Sequence, residues 1–186
     1  MLEIITTIFG LIQSILIMFN RKENWIFYIL NIGTLIIYSF FVKLYGDVLE
    51  NSIYLIIGLF GMFSWYSTKH SKYNDKIRYA STNERIFIFI LFLLLSICIY
   101  IWLINTNDSL PLLDSITTGL SFVATITMAL KIVDSWFYWL IDDILMAIVY
   151  FMLPDKAYFL MGLNIIWVLL AILSIYKWNK LVKEYE

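Results

Sequence analysis

Apolar residues fall into seven stretches, near 2–19, 25–42, 47–66, 86–104, 112–131, 135–152 and 158–176, and most charge sits between them. Each stretch can cross a hydrocarbon core of about 30 Å, which takes roughly 17–25 helical residues. In lipid every backbone polar group must be paired within the protein, and the period-two alternation of barrel strands is absent, so the pattern predicts seven helices. The fold class it implies is an all-α integral membrane protein.

Composition removes the alternative of a soluble bundle. The chain has 186 residues, 62% of them hydrophobic and only 15% charged, and a mean hydropathy of +0.84. A soluble domain of this size lacks the interior to hide so much apolar surface. The first stretch could pass for a signal sequence, but it has no basic leading region and no small-residue cleavage site before Arg21-Lys22-Glu23, and it is read as a mature span. Cys98, the one cysteine, lies in an apolar run; it excludes a disulfide within the chain and is expected to pack against lipid or core.

The same half occurs twice. Ile5-Thr6-Thr7 recurs as Ile116-Thr117-Thr118 and Trp25 as Trp136, at an offset of 111; Tyr45, Asn51 and Trp65 recur as Tyr158, Asn164 and Trp178, at 113. A two-residue insertion reconciles the offsets. Two three-helix repeats can run parallel only if an extra span separates them, and span 4 supplies it. The organisation expected is residues 1–66 as the first repeat, 67–111 as a basic cytoplasmic loop with a linker helix, and 112–186 as the second repeat and tail. Like halves facing each other create a site at their shared axis, as in transporters that alternate their access. Eleven of the thirteen Lys and Arg lie after spans 1, 3 and 5 or in the tail, against Lys43 and Lys156 on the other side. This bias predicts a multi-pass cell-membrane protein with its C-terminus in the cytoplasm and its N-terminus outside.

Polar groups inside spans are costly and mark candidate sites. Span 5 aligns Asp114, Thr117, Thr118, Ser121 and Thr125 on one face, for helix packing or for a cavity wall, with Thr118 and Ser121 as candidate ligand contacts. Span 6 carries Trp136, Trp139, Asp142, Asp143 and Tyr150. Two adjacent carboxylates in an apolar helix would each cost about 2.5–3.5 kcal/mol if they met lipid while charged. They must meet water, a partner or a cationic ligand, unless the span starts later and leaves them interfacial. Span 2 offers Asn31 and Tyr38, seven apart on one face, after Trp25 and Tyr28. Spans 3 and 7 share an Asn-x-x-aromatic pair, Asn51 with Tyr54 and Asn164 with Trp167. At that spacing a flat heterocycle could stack on the ring while the amide bonds its edge or a sugar hydroxyl.

Glu50 is either a second intramembrane acid or, as favoured here, a snorkelling charge at a helix end, and Trp25, Trp65, Trp136 and Trp178 read as the aromatic belt at headgroup depth. Enzyme signatures are absent: the single histidine, His70, falls in the charged loop, and there is no glycine-rich phosphate loop and no Gly-x-Ser-x-Gly elbow. No cofactor, metal or nucleic-acid partner is implied. Apart from Lys131 near the end of span 5, no Lys or Arg lies deep in a span, so the ligand should be neutral or positive rather than a phosphate. The expected partners are a small-molecule substrate and the lipid bilayer, with homo-oligomerisation left open.

On these residues the chain resembles the Pnu vitamin transporters, a family that includes nicotinamide riboside transporters. The resemblance is carried by Asn31 in the run ending Leu44-Tyr45, Asn51 where the family tends to have Gln or a similar amide, Trp65-Tyr66, Asp114-Ser115, Ser121 with Val123-Ala124, and Trp136-x-x-Trp139, and it covers nearly the whole chain. It implies a 3+1+3 arrangement similar to the SWEET sugar transporters, with a different helix connection inside each bundle. It also implies uptake by facilitated diffusion with trapping by phosphorylation. By the same resemblance Asn51 is the amide ligand, Trp139 and Trp167 are stacking residues, and Asp143 stands where the family usually has Asn. That acid suits the pyridinium of nicotinamide riboside, the substrate expected here, or the thiazolium of thiamine; riboflavin and nucleosides are the uncharged alternatives. The rival of another class is a non-transporting substrate-binding subunit of a vitamin importer.

Overall fold

The computed structural model describes residues 2–41, 45–67, 76–106, 110–152 and 158–185; Lys43, His70 and Lys156 lie outside them. The described residues form α1 (Leu2–Met18), α2 (Asn24–Phe41), α3 (Tyr45–Ser67), α4 (Thr82–Leu103), α5 (Pro111–Ala129), α6 (Ser135–Met152) and α7 (Tyr158–Tyr185). Six of them are long and apolar enough to cross a membrane, and α1, with 17 residues, spans about 25 Å. Two predicted boundaries move. α4 starts at 82 rather than 86, because Ser81 and Glu84 close a capping box ahead of the apolar run. α7 continues past 176 to Tyr185, since helical hydrogen bonding outlasts hydrophobicity; Lys177 lies over the Phe19 ring there.

Six helices close a ring in the order α1, α2, α3, α5, α6, α7, with α7 returning to α1. α4 stands outside and packs on α5 alone, where Gly119 lets Ser96 approach the α5 backbone. The rest of α4 turns Phe87, Phe89, Leu94, Ile101 and Cys98 outward, as a lipid-facing helix requires.

The turns α1–α2 and α5–α6 have one backbone at an offset of 111. Among the described residues, Asn20 and Lys131 are the non-glycine residues of positive φ, at 54° and 57°. Asn20 N–H bonds to Ile17 O at 2.8 Å and Arg21 N–H to Leu16 O at 3.0 Å; Lys131 N–H bonds to Met128 O and Ile132 N–H to Thr127 O, both at 3.0 Å. This is the Schellman ending, in which a left-handed residue lets two amides satisfy the last carbonyls of a helix.

The four tryptophans read as an interfacial belt are core instead, each no more than 5% exposed. Trp25 meets Trp65 with ring centroids 5.9 Å apart, Trp136 meets Trp178 at 5.5 Å, and Trp65 meets Trp178 at 6.5 Å. The halves are tied reciprocally: Trp65 Nε1 donates to Ala129 O at 3.0 Å and Trp178 Nε1 to Ile17 O at 3.1 Å. Helix ends that face one another across a ring bury what a helix end facing headgroups would expose, and span position alone does not separate the two. Gly58 and Gly61 give α3 its close approach to α2, because a Cβ at either would collide with Tyr28 or Trp25.

One corner is anchored. Arg78 pairs with the α5–α6 turn through Arg78 N–H to Lys131 O at 3.1 Å and Val133 N–H to Arg78 O at 2.9 Å. Asp134 accepts from Ala80 N–H at 2.9 Å and from Arg85 Nε at 2.8 Å. Arg78 also forms a two-pronged ion pair with Glu84, which holds its guanidinium above the usual range. At the equivalent of Asp134, the half-exposed Glu23 bonds to its neighbour Arg21, an interaction that holds its carboxyl below the ordinary range.

Candidate functional site: a cavity inside the helix ring

The ring encloses a cavity of about 430 Å³, a volume suited to a small organic molecule. Of the candidate residues, Asn31, Asn51, Tyr54, Thr118, Ser121, Trp139, Asp142, Asp143, Asn164 and Trp167 line it. Tyr38 does not. Seven residues of helix place it about 10 Å along α2 from Asn31, beyond Leu35, the last α2 residue on the wall. Sharing a face puts two residues in line, not at one depth.

The wall residues of α1 escaped the sequence reading, and others are named in their spans without being assigned to the site. α1 contributes Gly10, Gln13, Ser14 and Ile17, and Glu50, Tyr28, Trp136 and Tyr150 also face the cavity. Glu50 is therefore a cavity acid rather than a snorkelling end charge. Extending the repeat would have found several of these. At 111, Gly10 pairs with Ser121, Ile17 with Met128, Tyr28 with Trp139, Asn31 with Asp142, Ile32 with Asp143 and Leu35 with Met146; at 113, Asn51 pairs with Asn164 and Tyr54 with Trp167. Both members of every pair line the cavity.

The adjacent acids are not interfacial. Asp142 is 4% and Asp143 7% exposed. Ser121 Oγ donates to Asp142 Oδ2 at 3.0 Å, joining α5 to α6. Ser14, Thr117 and Thr125 are satisfied within their helices: Ser14 donates to Gly10 O, Thr117 to Leu113 O and Thr125 to Ser121 O, the usual way to bury Ser and Thr in an apolar span. Tyr54 packs on Phe122 with centroids 4.7 Å apart. Glu50, Asp142 and Asp143 thus bring three carboxylates to the wall, and among the described residues no Lys or Arg lines it. The aromatic surfaces of Trp139 and Trp167 are half-buried there. Chemically, the arrangement can stack a flat ring, bond its edge and neutralise a cation.

The family model described as "Nicotinamide mononucleotide transporter" matches residues 1–180. The chain belongs to that family. Membership makes it a membrane transporter rather than an enzyme and upholds the resemblance to the Pnu transporters. Within the family, the nicotinamide riboside transporter PnuC of Neisseria mucosa is 21% identical over 194 residues, covering 98% of this chain and 73% of the relative. The crystal structure of the vitamin B3 transporter PnuC matches with a TM-score of 0.78 at 20% identity, covering 100% of this chain and 83% of that one. At that identity the likeness shows the shared seven-helix fold.

Proposed function

We propose that this family member carries nicotinamide riboside into the cell by facilitated diffusion, with phosphorylation inside trapping the product. The observation that carries the reading is the wall itself: Glu50, Asp142 and Asp143 beside Trp139, Trp167, Asn51 and Asn164, with no cationic side chain among the described residues. A pyridinium ring is flat and positive, its carboxamide and ribose present donors and acceptors, and a carboxylate wall suits it. A phosphate would meet three acids and no Arg or Lys, which favours the riboside over the mononucleotide of the family's description.

Parallel repeats joined by α4 in a 3+1+3 arrangement are supported by the equivalent corners and the reciprocal tryptophan bonds. Transport is rocking of α1–α3 against α5–α7 about the cavity, with the basic corners and tail on the cytoplasmic side by the positive-inside bias. Liposomes containing the purified protein and preloaded with a riboside kinase and ATP provide the test. Saturable accumulation of nicotinamide riboside, with none of the mononucleotide, is expected; tight binding without uptake, or equal uptake of the mononucleotide, overturns the reading. A thermal-shift screen against thiamine, riboflavin and nucleosides separates the other vitamins, because a ligand that binds only the folded state raises the melting temperature.

A further inference from the structure

The two-fold relation of the cavity walls fails at one cluster. Beside α5, Ser121 holds Asp142 at 3.0 Å, and Tyr54 and Glu50 of α3 line the same cavity. At the equivalent place beside α1 stand Gly10, Asn31 and Trp167, and the position equivalent to Glu50 is Leu163. Gly10 has no hydroxyl to offer: a Cβ built there lies 3.3 Å from Asn31 Nδ2 and 3.9 Å from the Trp167 ring. Each acid of one side therefore has a neutral counterpart on the other, Asn31 for Asp142, Ile32 for Asp143 and Leu163 for Glu50. The second carboxylate oxygen of Asp142 is buried and has no hydrogen-bond partner. A buried carboxyl oxygen without a hydrogen-bond partner is costly enough that native proteins rarely leave one unmatched.

A ligand charged at one end has two ways to lie in a cavity with two like walls. From the broken symmetry we infer that it lies in only one: the cationic ring sits beside Glu50, Ser121 and Asp142, and the neutral hydrogen-bonding end faces Asn31 and Gln13. Asp142 is the residue that selects the cation, and Ser121 is a positioning residue that fixes its carboxylate. The assignment deepens the transport reading above and rests on it.

The test measures binding of two ligands of nearly one outline to the purified full-length protein: nicotinamide riboside, which is cationic, and its uncharged 1,4-dihydro form. Loss of the charge attraction between carboxylate and pyridinium, weakly screened in a buried cavity, predicts that Asp142→Asn weakens the cation on the order of tenfold to hundredfold and the dihydro form by less than about threefold. Asn31→Asp added to Asp142→Asn should not restore the cation, because the acid then stands at the wrong end. Equal losses for both ligands, no loss, or restoration by Asn31→Asp overturns the assignment while leaving the transport reading intact. If the unaltered protein binds neither ligand, the transport reading falls and the assignment with it. Should Asp142→Asn not fold, Ser121→Ala reports instead: the cation should weaken selectively and Ser121→Thr should recover it, whereas a loss shared by both ligands overturns the assignment.

Discussion

The corner between α1 and α2 and the corner between α5 and α6 follow one backbone path and are held in different ways. Both end a helix on a left-handed residue and repeat the same hydrogen bonds. Yet Asp134 ties the second corner to the linker and the start of α4, whereas Glu23 forms a local pair with Arg21. The two corners share the path of the chain, and a tryptophan bond reaches each of them. Divergence has acted on attachment. Among the described residues, α4 and the linker are attached to α5 and the second corner and not to the first corner.

The sharpest way to break this comparison is at the shared tryptophans. Trp65→Ala and Trp178→Ala should each destabilise the protein by about 3–5 kcal/mol, the usual cost of removing a buried large aromatic side chain. Unfolding in detergent should show similar losses for the two; a large loss for one alone would mean that the halves are not tied reciprocally. Next come the corners. Asp134→Ala strands the buried Ala80 N–H and should cost about 2–3 kcal/mol, with little of it from the half-exposed Arg85 pair. Glu23→Ala should leave the melting temperature unchanged, and equal shifts for the two would erase the contrast.

Smaller effects probe the cavity. Trp139→Ala or Trp167→Ala should weaken substrate binding by about 1–3 kcal/mol, by analogy with base–aromatic stacking; titration calorimetry with unchanged affinity would show that neither ring touches the ligand. Asp143→Asn should weaken nicotinamide riboside by roughly threefold more than an uncharged nucleoside, and equal effects in a competition assay would remove Asp143 from charge selection.

All seven helices were legible because lipid imposes a strong length and polarity rule on each span. Helix ends set by side-chain caps were less so: Ser81 and Glu84 start α4 inside a segment that reads as polar loop. Asn51, Asn164, Asp142 and Ser121 stood out because a polar group in an apolar span needs a reason. Glu50, Trp65 and Trp178 were misread because a residue near a span end looks the same whether it meets headgroups or a neighbouring helix. The order of the ring was not legible at all, since which helix closes on which depends on contacts far apart in sequence, and hydrophobic periodicity carries no record of them.

The ring is sealed by its first and last members. The bond from Trp178 to Ile17 joins residues 161 apart in sequence, so it cannot form until α7 has been synthesised. A nascent chain that has delivered only α1 to α6 is an open trough whose carboxylates face hydrocarbon or whatever insertion factor shelters them. Emergence of α7, rather than membrane insertion of any earlier segment, closes the chamber, because the bond that joins the first helix to the last waits for it.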